Sequence, residues 1–131
     1  MKTKKLLSLV VILLMSIGLS AQDTATANNG RLIVWSEQGW IMKAHSDTPV
    51  TFKFTWTTEG TNKNGEIVSS ATEESQKIKL SSDETRHLFT APQDPNKEIT
   101  YVFKNIIIYV DIEETMQDIH DEKLRLKKQG N

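Results

Sequence analysis

The chain of 131 residues contains no cysteine. This excludes a disulfide scaffold, a thiol nucleophile, thiolate metal ligands and a lipid anchor attached through cysteine. The chain also lacks an excess of basic charge, because 16 Lys and Arg stand against 17 Asp and Glu. General nucleic-acid binding needs a basic surface that releases phosphate counterions. We therefore predict no nucleic-acid partner, and the isolated glycines offer no glycine-rich phosphate loop.

The N-terminus has the pattern of a secretory signal. Residues 1–5 carry three lysines, residues 6–17 are almost entirely apolar, and small residues follow up to Ala21. A basic start, an apolar run of this length and a small-residue exit are typical of a signal peptide. We predict a signal peptide over residues 1–21. Cleavage after Ala21, cleavage at the later Ala25–Ala27 and retention as an uncleaved anchor remain alternatives.

An exported chain without cysteine suits a Gram-negative bacterial envelope, and we predict a periplasmic or extracellular location. Residues 22–30 (QDTATANNG) are small and polar without periodicity. We predict that they form a flexible tether, with the folded domain beginning at Arg31.

The strongest pattern in the remainder is that of β-strands. Residues 50–57 (VTFKFTWT) alternate apolar and polar side chains at all eight positions, which predicts a strand with one buried face. The apolar phase shifts by one residue between Lys104 and Asn105, which indicates either a bulge in one strand or a turn between two. Turn signals separate further short strands. Residues 31–112 are therefore predicted to form an all-β, immunoglobulin-like antiparallel β-sandwich of seven or eight strands. The other predicted strands cover residues 31–35, 39–44, 66–70, 76–80, 85–90 and 98–112, with a loop over 58–65.

Residues 113–131 are predicted to form a short C-terminal helix and tail. Thr115 and Asp118 fit a capping pattern, and acidic residues precede basic ones, which complements the helix dipole. Met116, Ile119 and Leu126 fall on one face. We expect this helix either to pack on the sandwich or to contact an envelope protein partner.

Few residues suggest a chemical site. Trp35 and Trp40 flank a polar turn containing Glu37 and Gln38, and these four residues could bind a carbohydrate or close one end of the core. His45, Ser46 and Asp47 include the residue types of a catalytic triad. Neighbours on a strand point apart, so a polar loop is the simpler interpretation. The acidic stretch over 111–122 contains no metal-binding motif.

The middle of the chain has a recurring pattern. An aromatic strand ends at Trp56, an Asn64-Gly65 turn follows, then Ile78-Lys79-Leu80 and the pair Ala91-Pro92. From Val50 to Phe103 this resembles the small bacterial periplasmic proteins of the YcfL type, and more loosely the immunoglobulin-like secreted bacterial domains. Those proteins usually carry a lipid-anchor cysteine, which this chain lacks. The resemblance implies a sandwich of the cell envelope and brings no catalytic residues.

We therefore expect an exported, non-enzymatic envelope protein that binds a protein partner or serves as an accessory domain. No cofactor, metal ligand or catalytic residue is predicted. The alternative is a carbohydrate-binding module that uses Trp35 and Trp40.

Overall fold

The computed structural model describes residues 23–129, so the predicted signal peptide over 1–21 lies outside the described residues. The described chain forms eight β-strands and a C-terminal helix, α1 (Ile112–Gln129). None of its helices is long and apolar enough to cross a membrane. The strands are β1 (Thr24–Ala27), β2 (Leu32–Glu37), β3 (Ile41–Ser46), β4 (Val50–Asn62), β5 (Ile67–Glu74), β6 (Ile78–Leu80), β7 (Glu84–Thr90) and β8 (Ile99–Val110).

The strands form two antiparallel sheets, which confirms the β-rich, sandwich-like architecture. The first sheet has the order β1-β2-β3-β7. In the second sheet the long strand β4 is central, with β8 along one side and both β5 and β6 along the other. Apolar side chains from both sheets meet in one core, which includes Leu32, Val34, Met42, Phe52, Phe54, Trp56 and Phe103.

Strand β4 confirms the alternating pattern but is longer than predicted. Phe52 and Phe54 are fully buried, as expected of the apolar face. The strand continues to Asn62 because β8 pairs with it along most of its length. The predicted loop over 58–65 is therefore wrong except for its end. There the Asn62 side chain accepts hydrogen bonds from the backbone N–H groups of Asn64 and Glu66, both at 2.9 Å.

The phase shift near Lys104 is a bulge in a single strand. Thr55 pairs with Ile107 and Thr57 with Lys104, so two residues of β8 oppose one residue of β4. Asn105 has a left-handed backbone with φ of 55°, a conformation that Asn tolerates better than most residues. The extra residue lets both Phe103 and Ile106 face the core.

The predicted tether is wrong for residues 24–27, which form strand β1. This strand pairs with β2 over its whole length, from Thr24 opposite Trp35 to Ala27 opposite Leu32. Asp23 and Ser36 are joined by two hydrogen bonds, from Ser36 N–H to the Asp23 carbonyl at 2.8 Å and from Asp23 N–H to Ser36 Oγ at 2.9 Å. Backbone pairing holds this segment, and Ala25 and Ala27 pack against the core, but alanine is too small to give a strong apolar pattern in the sequence.

The helix begins earlier than predicted. Asp111 is its cap, because Asp111 Oδ1 accepts a hydrogen bond from the Glu114 backbone N–H at 3.0 Å, as an N-cap does. The proposed cap, Thr115, lies inside the helix and is buried. Helix α1 therefore starts at Ile112 and packs against β4 through residues of its first turns.

The helix packs on the second sheet through polar side chains. The Thr51 N–H donates to Thr115 Oγ1 at 3.0 Å, and the Thr51 hydroxyl donates to Asp118 Oδ2 at 2.6 Å. The Ser82 hydroxyl lies 2.8 Å and 2.7 Å from the two carboxylate oxygens of Glu122. The predicted apolar face is turned away from the sheet, since Met116 and Leu126 are exposed.

Candidate functional site: an aromatic groove between the sheets

A groove of about 570 Å³ opens between the two sheets, beside strands β5 and β7. We call it the aromatic groove. Its floor is the inner face of the second sheet, and one wall is the end of β7 with the loop after it. The principal lining residues are Trp56, Ala71, Glu73, Phe89, Tyr101 and Phe103.

The groove exists because the two sheets are tied together unequally on their two sides. On the β8 side, the Phe103 N–H donates to the Gly39 carbonyl at 2.8 Å and the Ile106 N–H donates to Asp23 Oδ2 at 3.3 Å. On the opposite side, β5 and β7 are the end strands of their sheets. Pro92 stops β7, since proline cannot donate to a strand ladder. The inner face of β5 is thereby left uncovered.

Strand register determines which side chains reach the groove. Glu73 lies opposite Trp56, and Ala71 lies opposite Thr58. Directly opposed residues of a ladder share one face of the sheet, and Trp56 faces the core. The side chains of Ala71 and Glu73 therefore lie on the inner face, whereas Ser70 lies on the outer face.

The apolar part of the groove is an aromatic cluster. The rings of Trp56 and Phe89 are stacked with centroids 5.0 Å apart, and Phe103 meets Trp56 edge-on at 6.3 Å. Trp56 is only 6 % exposed and Phe89 is 36 % exposed. The Trp56 indole N–H donates to Thr58 Oγ1 at 3.2 Å. Phe89 therefore offers most of the accessible ring surface, and Trp56 supports it from below.

Gly60 allows Tyr101 to lie across the floor. The two residues are opposed in the β4–β8 ladder. A Cβ at position 60 would lie 2.5 Å from Ser69 Oγ and 2.9 Å from Tyr101 Cε1, closer than non-bonded atoms approach. Glycine at this position is therefore required by the packing of Tyr101 and not by a turn.

The charge in the groove is acidic. Glu73 Oε2 accepts a hydrogen bond from Thr58 Oγ1 at 3.1 Å, and Glu74 lies 3.8 Å from the Lys53 ammonium group. Of the described residues that line the groove, none is Lys, Arg or His. The groove therefore combines an apolar floor with a negatively charged rim, an arrangement that favours a ligand with apolar and cationic groups.

The four residues predicted as a binding site lie at the β2–β3 hairpin. Gln38 and Gly39 both have positive φ and form the turn. Trp40 packs against the core, whereas Trp35 lies on the outer face of the first sheet beside its strand partner Lys43. Glu37 pairs with Lys43 at 2.7 Å. The two tryptophans therefore lie on opposite faces of the sheet and share no common platform.

His45 and Asp47 meet in space, but Ser46 does not join them. His45 Nε2 lies 3.1 Å from Asp47 Oδ1, and His45 Nδ1 lies 2.7 Å from Thr85 Oγ1. The Ser46 hydroxyl is buried and donates to the Thr48 carbonyl. The imidazole nitrogens face Asp47 and Thr85, and the Ser46 hydroxyl faces the Thr48 carbonyl, so this arrangement does not have the Ser–His contact of a catalytic triad. Asp83 lies close enough to complete a three-ligand cluster with His45 and Asp47.

The acidic residues at the start of α1 bind lysines of the second sheet. Glu114 contacts both Lys77 and Lys79, and Asp118 lies 3.6 Å from Lys79. The hydrogen bond from Lys77 lowers the pKa of Glu114 below its usual value. Hydrogen bonding to Glu114 raises the pKa of Lys77 and of Lys79. These carboxylates therefore hold the helix on the sheet.

The sequence-based search missed the groove residues Ala71, Glu73 and Tyr101. Their residue types are unremarkable, and only the pairing of distant strands brings them together. One signal was present, since Phe89 lies two residues before the break at Ala91-Pro92 and so near the end of a strand.

Comparisons of the chain with protein-family models, with curated proteins and with solved structures found no match. The class that the structure itself defines is a two-sheet antiparallel β protein with a C-terminal helix and an aromatic groove.

Proposed function

We propose that this chain is an exported, non-enzymatic protein-binding domain of the Gram-negative bacterial envelope, and that the aromatic groove receives an extended segment of the partner protein. The observation that carries the proposal is an apolar groove bordered by a strand, β5, that has one unpaired edge. We further propose that the two sheets form an immunoglobulin-like sandwich, as in the periplasmic proteins that the sequence resembles.

The free edge of β5 supports an extended ligand. An added strand can pair with the backbone of an exposed edge while its alternate side chains enter neighbouring pockets. Among the described residues 23–129, strand β5 pairs with β4 and with no other strand, and its residues are exposed over the whole length. A peptide lying beside β5 could therefore place every second side chain against Phe89 and Tyr101.

Charge selects the kind of peptide. Glu73 borders the groove on the inner face, and none of the described lining residues is a cation, so Lys or Arg side chains are favoured beside the apolar ones. A carbohydrate is the less favoured ligand, because sugar stacking needs an open ring face and Trp56 is nearly buried. A carbohydrate site formed by Trp35 and Trp40 is also less favoured, because the two rings lie on opposite faces of the first sheet.

Selection from a random peptide library, displayed on phage, tests the proposal. We expect the selected peptides to be extended and rich in Lys or Arg alternating with apolar residues. Ala71→Trp, which fills the groove, should weaken binding at least tenfold. Ser70→Trp places the same ring on the outer face of the same strand and should leave binding unchanged.

A second pair of variants tests the charge. Glu73→Lys should weaken binding of the basic peptides, whereas Thr72→Lys on the outer face should not. The proposal is overturned if no peptide is enriched, or if Ala71→Trp and Ser70→Trp have equal effects. Binding of an oligosaccharide that Ala71→Trp abolishes would overturn the proposal and make the aromatic groove a carbohydrate site.

A further inference from the structure

The exposed side of helix α1 carries a line of apolar residues. Ile112, Ile119 and Leu126 are spaced seven residues apart, which places them on nearly one line along a helix. Met116 lies beside this line. Ile112 is 68 % exposed, Met116 66 % and Leu126 51 %, while Ile119 is half-buried. We call these four residues the apolar stripe.

The polar contacts with the second sheet fix the direction of this stripe. Thr115, Asp118 and Glu122 bind residues of the sheet or of the turn after β6. Met116 lies about 100° or more around the helix from these three residues, because each residue advances the helix by about 100°. Ile119 follows Thr115 by four positions and Leu126 follows Glu122 by four, so the stripe runs along the border of the sheet-facing side. Ile112, Met116 and Leu126 are nevertheless exposed, which is the reverse of an ordinary surface helix.

We propose that a second copy of this chain covers the apolar stripe, by antiparallel pairing of the two α1 helices about a two-fold axis near Ile119. In this arrangement Ile119 meets its own copy, and Ile112 of each protomer meets Leu126 of the other. A two-fold contact is self-complementary, so each residue pair occurs twice.

The order of charges along α1 selects a second copy and the antiparallel direction. Glu114 and Asp118 of the first half bind lysines of the second sheet, so Glu113 remains to face a partner helix, and Lys123, Lys127 and Lys128 lie in the last half. Antiparallel pairing brings Glu113 of one helix beside the basic last half of the other, whereas parallel pairing would bring the two basic halves together. A helix with this order therefore complements its own copy.

The position of Lys123 gives a second reason for antiparallel pairing. Lys123 lies on the same side of the helix as the stripe, between Ile119 and Leu126. In a parallel pair the two Lys123 ammonium groups would face each other. In the antiparallel pair they are separated by eight residues along the axis, about 12 Å, and each aliphatic stem can lie against Met116 of the other copy.

The expected dimer is weak. Helix α1 has 18 residues and is about 27 Å long, so a helix pair alone gives an interface at the low end of specific contacts. The dimer should therefore form and dissociate with concentration. Helix residues do not line the aromatic groove, so this proposal and the proposed function can fail separately.

Because the chain lacks cysteine, disulfide cross-linking of single-cysteine variants can test the direction of pairing. Purified Ile112→Cys and Leu126→Cys variants should each form no disulfide-linked dimer under mild oxidation, and an equimolar mixture should cross-link. Cross-linking of each variant to itself, without the mixed product, would show parallel pairing and overturn the proposal. Ile67→Cys, at a similarly exposed position of β5 (60 % exposed), is the control for disulfides that form by random collision.

Sedimentation of the unmodified chain provides an independent measurement. We expect the average mass to rise with concentration, and Leu126→Glu to raise the dimer dissociation constant at least tenfold. Ile67→Glu should leave that constant unchanged, and the circular dichroism of both variants should match that of the parent chain. A chain that stays monomeric at every concentration, or a dimer that Leu126→Glu does not weaken, would overturn the proposal.

Discussion

Thr115→Val should weaken the attachment of the helix to the sheet, without a large change in side-chain volume. Thr115 is 4 % exposed. Its hydroxyl oxygen accepts a hydrogen bond from the Thr51 N–H at 3.0 Å, and its O–H donates to the Thr51 carbonyl at 3.2 Å. Valine fills the same space but can make neither bond. The substitution therefore isolates the contribution of one hydroxyl group.

The magnitude follows from which backbone group loses its partner. The Thr51 carbonyl keeps a second donor, the Asp111 N–H at 2.8 Å. The Thr51 N–H, in a residue with no exposed surface, loses Thr115 Oγ1. A buried donor left unsatisfied costs about 1–3 kcal/mol. For a domain of this size, about 2 kcal/mol corresponds to a fall in Tm of roughly 10 °C.

Thermal melts followed by circular dichroism at 222 nm measure the loss of stability. Hydrogen exchange at the Thr51 amide tests whether the lost hydrogen bond causes it. We expect fast exchange at Thr51 in Thr115→Val and continued protection in Thr115→Ser, which keeps the hydroxyl and loses one methyl group. Protection of the Thr51 amide that is equal in Thr115→Val and the parent chain would refute the assigned contact.

Two further predictions concern the core and the effect of acid. Phe54→Asp should prevent folding, because it places an unpaired charge at a fully buried position, whereas Thr55→Asp on the outer face should be mild; a thermal melt compares the two, and equal effects would contradict the strand register. The lowered pKa of Glu114 means that its contribution to stability is present above its usual value of 4.5 and is lost as pH falls through the lowered value. An acid titration of the helix signal should therefore show a loss that Glu114→Gln removes, and an unchanged titration in that variant would contradict the role of the lysine contacts.

Strong local patterns predicted the strands well. The alternation over residues 50–57 correctly identified the buried face of β4 because one side of that strand lies on the core. The phase shift near Lys104 was visible in the sequence, but only pairing with β4 distinguishes a bulge from a turn. Strand β1 was missed because Thr24–Ala27 is held largely by backbone hydrogen bonds to β2, and its two core-facing residues, Ala25 and Ala27, are too small to mark it as an apolar strand.

The position of the helix could be predicted better than its orientation. The apolar spacing of Met116, Ile119 and Leu126 indicated a face for either the sandwich or a partner, and in the structure the side carrying Thr115 and Asp118 packs on the sheet. The reason lies in the partner surface, since the outer face of the second sheet presents Thr51, Lys77 and Lys79 there. The sequence of a helix does not reveal whether the surface on which it packs is polar or apolar, so its buried face cannot be predicted from that sequence alone.

The bulge at Asn105 determines which alternate residues of strand β8 face the core. Before it, the odd-numbered Tyr101 and Phe103 reach the inner face, and after it the even-numbered Ile106 and Ile108 do so. A chain shortened by this one residue could keep correct pairing on only one side of the deletion. It would lose either the floor of the aromatic groove or the strand end that leads into α1. One exposed asparagine thus keeps the two ends of the molecule in phase.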